Sequence, residues 1–141
     1  MRGALDSQIL SARRCSTPHR IGACMKLLVA DDHAGVRRFV RRLVSELAVE
    51  ICECANGKEA VRVCADFLPD LVIMDLQMPE MDGYEATRRL RTQWPQVLVI
   101  AISHAQHPEI ERQARLAGAS CFLPKEQLKD LPGCICRLLQ A

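Results

Sequence analysis

Residues 70–91 read DLVIMDLQMPEMDGYEATRRLR. Residues 71–74 form an unbroken apolar run that stops at Asp75, the pattern of a short strand buried on both faces. Pro79 and Gly83 then frame a loop, and residues 84–91 take up helical spacing.

The same alternation extends along the chain on both sides. On the N-terminal side, residues 26–30 form an apolar strand ending at Asp31-Asp32, and Val36, Phe39, Val40, Leu43, Val44 and Leu47 recur at helical spacing. Residues 49–54 read as a second strand and Asn56-Gly57 as a turn; residues 58–67 read as a helix burying Ala60, Val61 and Cys64, stopped by Pro69. On the C-terminal side, residues 97–102 form a fourth strand ending at Ser103. Pro108 opens a helix that runs to Leu116 and stops at Gly118. Residues 121–123 form a short fifth strand just before Lys125, and a last helix spans about residues 132–139. Five strands alternating with five helices require crossovers of roughly a dozen residues, which gives a doubly wound, five-stranded parallel α/β sheet covered on both sides.

At 141 residues, 49% apolar and 26% charged, the chain fits one compact domain. Its net charge is +2: four arginines and one aspartate before Met25 supply +3, and residues 25–141 carry 15 basic against 16 acidic groups. No concentrated basic face stands out beyond the arginines at 37–42, which argues against direct DNA binding. No apolar run approaches the roughly 20 residues of a membrane-spanning helix. Residues 1–24 lack a sustained period and an apolar signal core, so they are expected to be a disordered extension, with the domain spanning residues 25–141. The eight cysteines lack zinc-site spacing, Cys52 with Cys54 and Cys134 with Cys136 forming only C-x-C pairs. They are expected to serve as small buried hydrophobes in a reducing cytoplasm.

In such a sheet, ligands bind beyond the carboxyl ends of the strands. Asp31 with Asp32, Asp75, Ser103 and Lys125 each follow an apolar run, so their side chains should converge on that edge. Three clustered carboxylates repel one another unless a cation joins them, and hard oxygen ligands select Mg²⁺ or Mn²⁺. With the ion in place, Asp75 is suited to act as a nucleophile toward phosphorus. The Ser103 hydroxyl and the Lys125 ammonium would take up charge on the phosphoryl oxygens. Helix capping offers a plainer account of Asp32, and loop membership of Ser103 and Lys125, but capping explains one aspartate and not the whole set.

The segments LVADDH, DLVIMDLQMPEMDGYEATRRLR, VIAIS and CFLPK, in that order and spacing, closely resemble the response regulator receiver domains of two-component systems, over residues 26–139. The resemblance implies a flavodoxin-like receiver fold with Asp75 as phosphoacceptor. It also implies Asp32 as a direct metal ligand, Asp31 acting largely through water, and the Gln77 main-chain carbonyl completing the protein ligands. Ser103 matches the switch hydroxyl, Phe122 the aromatic that rearranges with it, and Lys125 the phosphate-pairing lysine. Partners implied are a sensor histidine kinase or histidine phosphotransfer protein, and a downstream protein target. The protein is then a phosphoacceptor that loses its phosphate slowly, rather than an enzyme.

Two positions depart from the common pattern. Glu126 stands where many members have proline, and His104 follows the switch serine where small residues are frequent, so its ring is expected to lie over an acyl phosphate. His33 is reminiscent of receivers joined to helix-turn-helix regulators, yet no such output domain is expected here, and the signal is expected to leave through protein contacts. The arginines at 37, 38, 41 and 42 read most simply as a solvated helix face, and more sharply as a kinase-docking face. Trp94 is expected to pack in the loop before the fourth strand, and Pro132-Gly133 to shorten the last helix. An aspartate-nucleophile phosphatase would need an acid two residues after Asp75, where Gln77 stands. The remaining alternative is a phosphorylation-independent interaction module on the same fold.

Overall fold

The computed structural model describes residues 25–47 and 49–140; the N-terminal segment expected to be a disordered extension lies outside the described residues. Five strands, β1 (Met25–Ala30), β2 (Val49–Cys54), β3 (Leu71–Asp75), β4 (Leu98–Ser103) and β5 (Cys121–Pro124), pair in parallel in the order β2-β1-β3-β4-β5. The α-helices are α1 (Ala34–Leu43), α2 (Gly57–Phe67), α3 (Gly83–Gln93), α4 (Pro108–Ala117) and α5 (Leu131–Gln140). This is the doubly wound order of flavodoxin-like sheets, the fold that the resemblance implies.

The apolar strands are buried on both faces, and their period of two sorts them into two cores. Leu27, Val29, Leu71, Ile73, Ile100 and Ile102 pack with Val40 and Val44 at α1 and with Leu131, Ile135 and Leu139 of α5. Leu28, Ala30, Val72, Met74, Val99 and Ala101 pack on the opposite face with Ala60, Cys64, Ala86, Leu90 and Ala114 of α2, α3 and α4. Side-chain caps start the helices where the sequence has polar residues. Asn56 Oδ1 accepts from the Glu59 N–H while Glu59 Oε1 accepts from the Ala55 N–H, and Asp82 Oδ1 accepts from the Glu85 N–H.

The first helix is shorter than its apolar spacing suggests. It ends at Leu43, Val44 leaves helical geometry, and Ser45–Leu47 form a separate 3₁₀ turn closed by the Leu47 N–H on the Val44 carbonyl. Leu47 still reaches the core from that turn, whereas Phe39 is 37% exposed. Val61 is half-buried rather than fully covered. The last helix starts at Leu131 with Pro132 in its first turn, where the missing N–H costs nothing, and a 3₁₀ segment Lys125–Asp130 precedes it. Trp94 packs against the second core, as expected. Cys54, Cys64 and Cys134 are buried, while Cys52, Cys121 and Cys136 are half-buried.

Candidate functional site

Parallel strands end at a common edge, and there the chain brings together most of the polar residues singled out in its sequence. Asp31 follows β1 directly, its N–H continuing the ladder to the Cys54 carbonyl. Asp75 is the last residue of β3 and pairs with Ile102; Ser103 ends β4 opposite Pro124, and Lys125 follows β5. Asp31, Asp75 and Ser103 are at most 2% exposed.

The Lys125 ammonium joins the carboxylates: its Nζ lies 2.8 Å from Asp31 Oδ2 and 3.3 Å from Asp75 Oδ2, and its side chain is 5% exposed. The contact to Asp31 has ion-pair distance without hydrogen-bond alignment, so Asp31 Oδ2 is a buried oxygen with no hydrogen-bond donor. The Asp75 carboxyl is pushed above its usual range first by burial and then by the charge of Asp31; the Gln77 N–H, 3.2 Å from Asp75 Oδ1, and Lys125 only partly offset this.

Main-chain anchors hold the corner. The His33 N–H donates to Asp31 Oδ1 at 2.8 Å, and Arg37 Nη1 donates to the Asp31 carbonyl at 2.6 Å. The loop after Asp75 folds back tightly: the Gly83 N–H donates to the Leu76 carbonyl, and a Cβ on Gly83 would lie 2.2 Å from the Asp75 carbonyl oxygen. Only glycine fits there. The Ser103 hydroxyl accepts from the Ala105 N–H at 3.1 Å, and His104 is exposed beside it. Phe122 is half-buried against the second core.

Capping fails as an account of Asp32, because the residue capping α1 is His33, which makes no side-chain cap bond. Among the described residues, Asp31, Asp32 and His33 each offer a ligand atom, all within 4.8 Å of one another. His33 was not singled out as a ligand from sequence, although its Nδ1 lies 3.2 Å from Asp32 Oδ1 and its adjacency to the acidic pair was the available signal. Asp75 joins the acidic pair through the shared ammonium. A buried carboxylate oxygen without a donor, next to a carboxyl whose charge is disfavoured, is relieved by a positive ion, so the donor set fits a hard divalent cation.

The arginines of α1 are not one solvated face. Arg37 is half-buried and donates to Glu53 on β2; Arg41 donates to the same carboxylate but is exposed, as are Arg38 and Arg42.

The acidic, lysine-bridged pocket lies at the carboxyl edge of a doubly wound sheet, where such sheets bind their ligands. The family model of the response regulator receiver domain matches residues 27–132, and the chain belongs to that family. It is 40% identical over 108 residues to a Bacillus subtilis transcriptional regulatory protein, YhcZ, covering 75% of this chain and 49% of the relative. It is 40% identical over 106 residues to a Vibrio cholerae protein-glutamate methylesterase/protein-glutamine glutaminase, covering 72% of this chain and 28% of the relative. A LuxR-family response regulator from Aurantimonas superposes with a TM-score of 0.77 at 29% identity, over 83% of this chain and 86% of that one. The receiver domain of Thermotoga maritima CheB gives 0.75 at 25% identity, over 84% and 98%. The chain spans about half the length, or less, of the curated relatives it matches.

Proposed function

We propose that this receiver domain accepts a phosphoryl group on Asp75 from a histidine kinase or histidine phosphotransfer protein, and that the modified domain changes its protein contacts. The observation that carries the reading is the buried Asp75 carboxylate held beside the Lys125 ammonium at the carboxyl edge of the sheet.

An Asp75 carboxylate oxygen attacks phosphorus of the donor phosphohistidine, the P–N bond breaks, and the imidazole leaves. Lys125 already stands where a new phosphoryl oxygen would need a positive partner. The Ser103 hydroxyl gives up the Ala105 N–H to turn toward the same group, and Phe122, on the neighbouring strand β5, repacks with it. A Mg²⁺ or Mn²⁺ ion held by Asp31, Asp32, Asp75 and the Gln77 main-chain carbonyl would supply further positive charge at the transferring oxygens. The ring of exposed His104 screens the acyl phosphate from water, so His104→Ala should lose its phosphate faster than wild type; an unchanged rate removes His104 from the account.

Acetyl phosphate with Mg²⁺ tests the phosphoacceptor directly. Wild type should gain the mass of one phosphoryl group, sensitive to hydroxylamine, and Asp75→Asn should gain none. Labelling of Asp75→Asn to the wild-type extent would assign the acceptor elsewhere.

A further inference from the structure

Cys121 opens β5 and Cys134 lies in α5, and their sulfur atoms stand 2.8 Å apart. That is closer than sulfurs which merely touch, and roughly 0.8 Å from the length of a disulfide bond. Cys134 belongs to the core between the sheet, α1 and α5, and Cys121 packs against that core. The two are unequal in access: Cys121 is half-buried, whereas Cys134 is 2% exposed. This goes beyond the phosphoryl chemistry and does not depend on it.

We propose that Cys121 and Cys134 are a redox pair, in which a peroxide oxidises Cys121 and Cys134 closes a disulfide that ties β5 to α5. The Cys121 thiolate attacks the peroxide oxygen, the O–O bond breaks, and hydroxide leaves as sulfenic acid forms on Cys121. The Cys134 sulfur then attacks the Cys121 sulfur, losing its proton and expelling water. Two thiols are oxidised and one peroxide is reduced to two waters. The local charges suit this order: the hydrogen bond from the Cys134 thiol, and then Arg115 and Arg137, hold the Cys121 thiol below its usual range, while the Cys134 thiol is pushed up. The closed ring spans residues 121–134 and contains Phe122 and Lys125, so oxidation would stiffen the segment that carries the site's ammonium.

Hydrogen peroxide applied to the full chain, followed by alkylation of remaining thiols, tryptic digestion and non-reducing mass spectrometry, tests the pair. The expected product links residues 116–125 to residues 130–137 with Cys136 alkylated, two hydrogens lighter than the sum of the first peptide and the second carrying that one alkyl group. Since Cys136 shares the second peptide, the link should survive in Cys136→Ser and vanish in Cys134→Ser, where Cys121 should be trapped as sulfenic acid by dimedone. A wild-type chain whose Cys121 stays fully alkylatable, or a link that persists in Cys134→Ser through Cys136, would overturn the proposal.

Discussion

The Lys125 ammonium stands 3.3 Å from Asp75 Oδ2, although β4 separates the strands these two residues follow or end. The same nitrogen contacts Asp31, so one cation is shared between two buried carboxylates. The charge of Asp75 is therefore incompletely compensated in the metal-free protein.

Stability should report that deficit. The folded Asp75 carboxyl holds its proton to a higher pH than the unfolded one, so folding takes up protons between the two values. The contribution to stability falls as pH rises through that window. In EDTA at pH 7, Asp75→Asn should be more stable than wild type by roughly 0.5–3 kcal/mol, the span of ordinary single-site effects. The gain should shrink as pH falls toward the usual carboxylate range. Urea unfolding across pH checks this, and a destabilised Asp75→Asn at pH 7 would count against it.

Gly83→Ala should damage the fold where the phosphoacceptor sits. The added Cβ meets the Asp75 carbonyl oxygen at 2.2 Å and the Leu76 Cα at 2.7 Å, both of them backbone atoms that cannot swing away. Overpacking of this kind costs about 1–3 kcal/mol. An unchanged urea midpoint would show that the loop after Asp75 has slack absent from this structure.

The arginines of α1 should separate in two groups. Arg37→Ala loses donors to the Asp31 carbonyl and to Glu53 and should destabilise by about 1 kcal/mol, whereas Arg38→Ala and Arg42→Ala should stay within about 0.5 kcal/mol. Arg41, with Arg37 and against burial, holds the Glu53 carboxyl below its usual range. The stabilisation is thus present above the unfolded value and lost as pH falls through the folded one. The Glu53→Gln penalty should accordingly be largest at neutral pH and fade in acid. Equal effects from all four arginines would return the helix to a uniformly solvated face.

The fold and the polar edge were legible because each apolar run stops at the residue that matters: Ala30 before Asp31, Met74 before Asp75, Ile102 before Ser103. Apolar runs of four to six residues between turn-forming segments leave little choice but buried parallel strands. What stayed hidden depends on packing between elements. Nothing in a charge pattern distinguishes Arg37 from Arg38, since the difference is the angle at which α1 lies over β2. Lys26 heads the run read as an apolar strand, and it is 7% exposed, with its ammonium on the Phe67 carbonyl and over the Phe67 ring, a partner that the run itself does not name. Cys121 and Cys134 lie 13 residues apart with no shared motif, and only the seating of α5 on β5 brings their sulfurs together. The 3₁₀ segments that shorten α1 and precede α5 have no periodicity signal at that length.

The central claim is that the Asp75 pocket is a working phosphoryl switch. Amide NMR spectra of residues 25–141 with Mg²⁺, recorded before and after beryllofluoride, test it most directly, with Asp75→Asn as control. The account predicts shifts at Asp75, Ser103 and Phe122 in wild type and none of them in the control. A wild-type spectrum unmoved by either Mg²⁺ or beryllofluoride would contradict it and leave a receiver fold that acts without phosphorylation.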